Sequence, residues 1–206
     1  MCSSDPLREA FFGETHVHTA YSLDAYIGGT RLSPGDAYRF ARGEKVTVNG
    51  KPHKRKRALD FAAVTDHAEY LGEMYSTMVP GAPGHDHPLL QQLRNLSSLK
   101  EKQQWFLQYV VANNRGAKPS HPPFFAGPET VKSAWQVMID AAEAHNVPGR
   151  FTTFLSFEWS GAQNGGNLHR NIIYRSSQVP DAPTSYIDIN REDGLWAWME
   201  EQERSG

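Results

Sequence analysis

The sequence predicts an α/β domain, and three observations carry that prediction. Residues 59–64 (LDFAAV) form a nearly continuous apolar run, as in a strand buried on both faces. Residues 151–157 form a second strand-like run that leads into Glu158-Trp159-Ser160. Between the two lies a long stretch whose apolar residues recur at helical spacing. Strands that alternate with helices imply a mostly parallel arrangement.

Taken in order, residues 10–18 read as a short strand ending in His16-Val17-His18. Ser33 as N-cap and Pro34 at the first helical position open a helix through Arg42. Asn49-Gly50 marks a tight hairpin over residues 46–51. The run 59–64 ends in Thr65-Asp66-His67. Leu89, Leu93, Leu96 and Leu99, then Trp105, Phe106 and Tyr109, predict one long helix. A Gly- and Pro-rich break at 116–128 precedes a second amphipathic helix from Pro128. Its apolar face is Val131, Trp135, Met138, Ile139 and Ala142, and it stops at Asn146-Val147-Pro148-Gly149. After residues 151–157 and a Gly/Asn-rich turn at 161–167 comes a strand at 168–174. Residues 180–183 form a loop, and 192–203 a last helix. Residues 1–206 thus read as one domain, with a helical insertion at about 68–150 covering the sheet.

Composition narrows the functions. Hydrophobic residues are 39% of the 206, enough for a packed core, and no apolar stretch approaches the roughly 18 needed to cross a bilayer. A net charge of -2 points to neither nucleic acid nor an anionic membrane as partner. Lys54-Arg55-Lys56-Arg57 is read as a solvated loop. The single cysteine, Cys2, excludes an internal disulfide and any Cys-based zinc site. The first residues lack the charged and apolar regions of a signal peptide. A cytoplasmic protein and a trimmed exported form both fit that.

The chemistry is carried by histidines and carboxylates. His16 and His18 stand two apart on a strand, so their side chains leave one face with Cα atoms about 7 Å apart and can converge on one ion. Asp24 follows six residues later, in a segment read as a loop folding back over the strand end. His67 and Glu158 each close an apolar run, and His169 begins the strand after Glu158. Each has a plainer reading as a satisfied histidine, a capping acid or a loop carboxylate. Six at strand ends fit one mixed nitrogen and oxygen metal site better than six coincidences. His53, His85, His87, His121 and His145 lie in polar, Pro-rich or helix-end contexts and read as surface or loop residues.

The series His16-x-His18, Asp24, Thr65-Asp66-His67, Glu158 and His169 resembles the PHP (polymerase and histidinol phosphatase) superfamily. The strings FFGETHVHTAYSLDAY, DFAAVTDHAEYLGE and FEWSGAQNGGNLHRNIIY look like its large DUF3604-type branch. The resemblance implies a distorted (β/α)7 barrel holding two or three divalent ions. In it His16 and His18 would bind the first ion, Glu158 would bridge the first and second, His169 would bind the second, and Asp24 with His67 the third. Asp66 would orient a ligand. The superfamily adds a histidine and an Asp-x-His pair from later strands, and no histidine follows His169 here. That implies the N-terminal portion of a longer protein, completed by a continuation or a separate chain.

The expected activity is hydrolysis of a small anionic phosphate or sulfate ester by a metal-bridging hydroxide, with Zn, Mn or Fe as the ion. Arg170 could clamp the anion bidentately, although strand alternation sends it away from His169. Tyr70, Glu73 and Trp159 stand near the motifs without being positioned by them. The alternative is a non-catalytic metal-binding half-domain that needs a further segment.

Overall fold

A computed structural model of the chain describes residues 10–114, 118–163 and 166–205. The protein is mixed α/β. Three strands, β1 (Gly13–Val17), β4 (Phe61–Val64) and β5 (Thr152–Phe154), make a parallel sheet in the order β1-β4-β5. β6 (Ser156–Gly161) continues from β5 after one residue and pairs antiparallel with β7 (Leu168–Ile173). A hairpin, β2 (Val46–Val48) and β3 (Lys51–His53), turns at Asn49-Gly50, both at positive φ.

No closed barrel is present among the described residues. The β6–β7 pair also departs from the expected parallel order, for a simple reason. The 161–167 turn is too short for a parallel crossover, which needs a dozen or more residues.

Helices cover this sheet. α1 (Leu23–Ile27) follows β1, and α2 (Pro34–Ala41) starts on a capping box in which Ser33 and Asp36 exchange hydrogen bonds. After β4 come α3 (Leu71–Met78), α4 (Pro88–Asn95), α5 (Leu99–Phe106), a π turn at Leu107–Val111 and the short α6 (Ala112–Asn114). α7 (Pro128–His145) and α8 (Glu192–Ser205) complete the set. The single helix expected over 89–109 is therefore broken. Ser98 accepts from Glu101 N while the Glu101 carboxylate accepts from Ser98 N, so a new helix begins there. Among the described residues no helix is long and apolar enough to cross a membrane.

The core has two parts. One lies between the sheet and α2, α7 and α8, around Tyr38, Trp135, Phe157, Trp159 and Leu195. α7 buries Trp135, Met138 and Ala142, as its periodicity predicts, and keeps Val131 and Ile139 half-buried. The other joins α1 to α3, α4 and α5 through Tyr70, Met74, Leu90, Leu93, Trp105 and Phe124. Gly72 lets α3 lie close on α7, since a Cβ there would sit 2.5 Å from Thr130 Oγ1 and 2.9 Å from Val131 N.

Candidate metal centre

Backbone hydrogen bonds bring three strand ends level. Thr65 N donates to Val17 O, Glu158 N to Asp66 O and Ala68 N to Glu158 O, and His67 and Glu158 form a parallel bridge. The residues just past β1 and β4 therefore stand beside the middle of β6. Alternation along β6 sends Phe157 and Trp159 into the core, leaving Glu158 and Ser160 on the rim face. Trp159 Nε1 donates to Ile189 O.

Asp66 fixes the loop between His18 and Asp24. Fully buried, it accepts from Thr19 N and Thr19 Oγ1, both at 2.6 Å, and from Ser22 Oγ at 2.8 Å. Ser22 Oγ in turn accepts from His67 N at 3.0 Å. The Asp66 carboxylate thus reaches the cluster through backbone and hydroxyl groups, and its own hydrogen bonds go to Thr19 and Ser22. Its burial pushes its pKa up, against those hydrogen bonds. Asp24, expected in a loop, lies in the first turn of α1.

The four candidate histidines converge on Glu158, whose side chain is fully buried. His16 Nε2 lies 3.3 Å and His18 Nε2 2.7 Å from Glu158 Oε2, and the two ring nitrogens are 3.0 Å apart. On its other side His18 Nδ1 is 3.2 Å from both Asp24 oxygens, and His67 Nε2 is 3.7 Å from Asp24 Oδ2. His67 Nδ1 is 3.5 Å from Glu158 Oε2, and His169 Nδ1 is 2.5 Å from Glu158 Oε1. Three groups result, each with ligand atoms within 4.8 Å of one another: His16, His18 and Glu158; His18, Asp24 and His67; His67, Glu158 and His169.

Electrostatics bind the cluster together. Burial pulls the His18 pKa down, but hydrogen bonds to Asp24 and Glu158 outweigh it and raise it to about 10. Burial likewise opposes a rise at His67, which Asp24, Glu69 and Glu158 bring about. Burial would raise both carboxyls, yet His18 and its neighbours hold Glu158 down to about 2 and Asp24 well below the usual carboxylate range.

The donor set fits divalent metal. Two bare imidazole nitrogens 3.0 Å apart repel unless a proton or another cation lies with them. Four imidazoles around one buried carboxylate hold more donor capacity than that carboxylate can use. Neutral imidazole and carboxylate are the ligand types of zinc, manganese and iron sites. The groups share members, however. Glu158 has an oxygen for each of two groups, whereas a neutral histidine has one ring nitrogen free to bind.

Three residues beside the cluster were not anticipated. Ser160 Oγ is 2.6 Å from His67 Nδ1 and 3.3 Å from His169 Nδ1. Asn167 Oδ1 makes a short contact with His169 Nε2. Glu69 is buried, which pushes its pKa up, and its Oε2 stands 3.9 Å from His67 Nδ1. Each is two residues from a predicted ligand: Ser160 from Glu158, Asn167 from His169, Glu69 from His67. Ser160 shares the rim face of β6 with Glu158, and Asn167 lies just ahead of β7.

The other candidates lie apart. Arg170 is exposed and donates to His169 O, on the face of β7 opposite His169. Tyr70 is buried in the second core, and Glu73 pairs with His121 at 2.7 Å. His85 contacts Ser76 O, His87 accepts from Leu89 N, and His145 contacts Ala141 O. A groove of about 850 Å³ between β7 and α8, lined by Tyr174, Trp198 and Met199 among others, does not include the cluster.

Fold and site together describe a mixed α/β protein with a histidine and carboxylate cluster of metal-binding geometry at the rim of its sheet. Residues 5–206 match the family described as "Protein of unknown function (DUF3604)", and the chain belongs to that family. No curated protein and no solved structure matches the chain.

Proposed function

We propose that the chain carries the metal centre of a divalent-metal-dependent hydrolase acting on small phosphate or sulfate esters, and that its fold is part of a PHP-type barrel. One observation carries the reading: a single buried carboxylate, Glu158, meets His16, His18, His67 and His169 at its two oxygens. His16, His18, Asp24, His67, Glu158 and His169 would hold the ions. Bound there, zinc, manganese or iron would supply Lewis acidity, acidifying water and offsetting charge on the ester oxygens.

The chain's own residues set the stage for that chemistry. Glu158 offers one oxygen to the His16 and His18 side and the other to the His169 side, and so can serve two groups. Asp66 keeps the 19–22 loop against the end of β4, which fixes the spacing between His18 and Asp24. His16 and Asp24 have side chains about half-exposed, at 51% and 52%, so the cluster is open to a substrate from solvent. The same openness favours the second reading, a metal-binding unit that becomes catalytic only when another segment covers the rim.

The test is metal content by mass spectrometry, with turnover of p-nitrophenyl phosphate, bis(p-nitrophenyl) phosphate and p-nitrophenyl sulfate in added Mn or Zn. Bound metal and saturable turnover of one ester are expected. Bound metal with none of the three turned over would favour the metal-binding unit. A chain that takes up no metal would overturn both.

A further inference from the structure

His67 stands in two of the three ligand groups, one through each ring nitrogen, and can serve only one of them as a neutral ligand. We propose that Ser160 and Asn167 are positioning residues that fix His67 and His169 in opposite tautomers. His67 then offers Nε2 on the Asp24 side, and His169 offers Nδ1 on the Glu158 side. This rests on the metal-centre reading above.

A neutral imidazole carries one N–H and one lone pair, and only the bare nitrogen can bind a metal. The partner of the N–H therefore selects the ligand atom. At His67, Nδ1 is 2.6 Å from Ser160 Oγ, much closer than Glu158 Oε2 at 3.5 Å or Glu69 Oε2 at 3.9 Å. With the Nδ1 hydrogen donated to that hydroxyl, the lone pair remains on Nε2, facing Asp24 Oδ2 at 3.7 Å.

The hydroxyl is held in place. Ser160 N donates to Glu69 Oε1 at 3.2 Å, and the same oxygen accepts from Tyr186 N at 2.5 Å. Buried Glu69 thereby ties β6 to the 184–188 segment next to His67.

His169 has the opposite arrangement. Its Nε2 meets Asn167 Oδ1, a carbonyl oxygen that can only accept, so Nε2 carries the hydrogen. Nδ1 is left bare, facing the acceptor Glu158 Oε1 at 2.5 Å, a pairing that a shared cation reconciles. Ser160 Oγ stands farther from His169 Nδ1, at 3.3 Å, than from His67 Nδ1, which leaves the His169 lone pair to the ion. The assignment moves His67 into the Asp24 group and leaves Glu158 and His169 together. It also gives a task to two residues that are not ligands.

The test uses the full chain, labelled with 15N-histidine and loaded with Zn, and reads tautomers from long-range 1H–15N correlations. The expected spectrum has the hydrogen of His67 on Nδ1 and that of His169 on Nε2. Ser160→Ala and Asn167→Leu should each weaken Zn binding by about 10- to 100-fold. Ser160→Thr and Asn167→Asp, which keep the acceptor, should restore it. Zn bound with either tautomer reversed, or with affinity untouched by both deletions, overturns the inference and leaves the metal centre standing. A chain that binds no Zn overturns the metal centre itself. Should Ser160→Ala fail to fold, the wild-type spectrum alone decides the question.

Discussion

Glu158 at the sheet rim and Glu73 in the helical cover are both glutamates buried beside histidines. Their side chains are 0% and 1% exposed, yet their surroundings differ. Glu158 has four imidazoles distributed over its two oxygens. Glu73 has one: its Oε1 accepts from His121 Nδ1 at 2.7 Å, and its Oε2 has no hydrogen-bond partner among the described residues. His121 in turn stacks on Phe125, with ring centroids 3.6 Å apart. A buried acid beside a histidine is therefore not in itself a site. The distinguishing mark is convergence, and strands supply it: residues from the ends of β1 and β4 and from within β6 and β7 reach one rim. Glu73 projects from a single helix and meets one partner from a loop.

The sharpest way to break the contrast is to remove one carboxylate at a time. Glu158→Gln keeps the shape and removes the shared anion, and should abolish tight Zn or Mn binding along with any activity. Retention of full metal occupancy by that variant would refute the ligand assignment.

A smaller effect should follow pH. In the metal-free protein the folded His18 pKa, about 10, lies above its ordinary 6.5. Its contribution to stability is complete below pH 6.5 and is lost as pH rises through about 10. Glu158, lowered from 4.5 to about 2, contributes fully above pH 4.5 and loses that contribution as pH falls through about 2. Metal needs His18 without its proton, so binding at pH 7 should release that proton and strengthen toward pH 10. Calorimetry in buffers of different ionisation enthalpy reads the release, and buffer-independent heats would contradict it.

The smallest change is expected at the other glutamate. His121→Ala leaves the buried Glu73 carboxylate without its partner and should cost about 1–3 kcal/mol in urea unfolding. Metal affinity should not change. A parallel loss of metal would mean that the two clusters are linked.

The sequence was informative where local pattern and tertiary position coincide. His67 and Glu158 were legible because each follows an apolar run, and β4 and β6 carry those runs into the core. Asp24 reads as a loop residue because α1 has only five residues, too few to display a helical period. The break between α4 and α5 is written in Ser98 and Glu101, but the leucine spacing across it masks the cap. The antiparallel return of β7 could have been read from the short 161–167 turn; the expectation of alternating parallel strands hid it. Ser160, Asn167 and Glu69 are not legible in the sequence for another reason. A serine, an asparagine and a glutamate near a ligand are ordinary in sequence, and only the contacts made in the fold single them out.

The His18–Glu158 contact joins positions 140 residues apart. Viewed along the chain, it closes a loop that contains α1 to α7. An ion held at that contact would act as a tether, removing much of the freedom that a long loop has in the unfolded chain. A protease cut within the cover would then sever the polypeptide yet leave two pieces fastened at the rim, and a chelator would let them part.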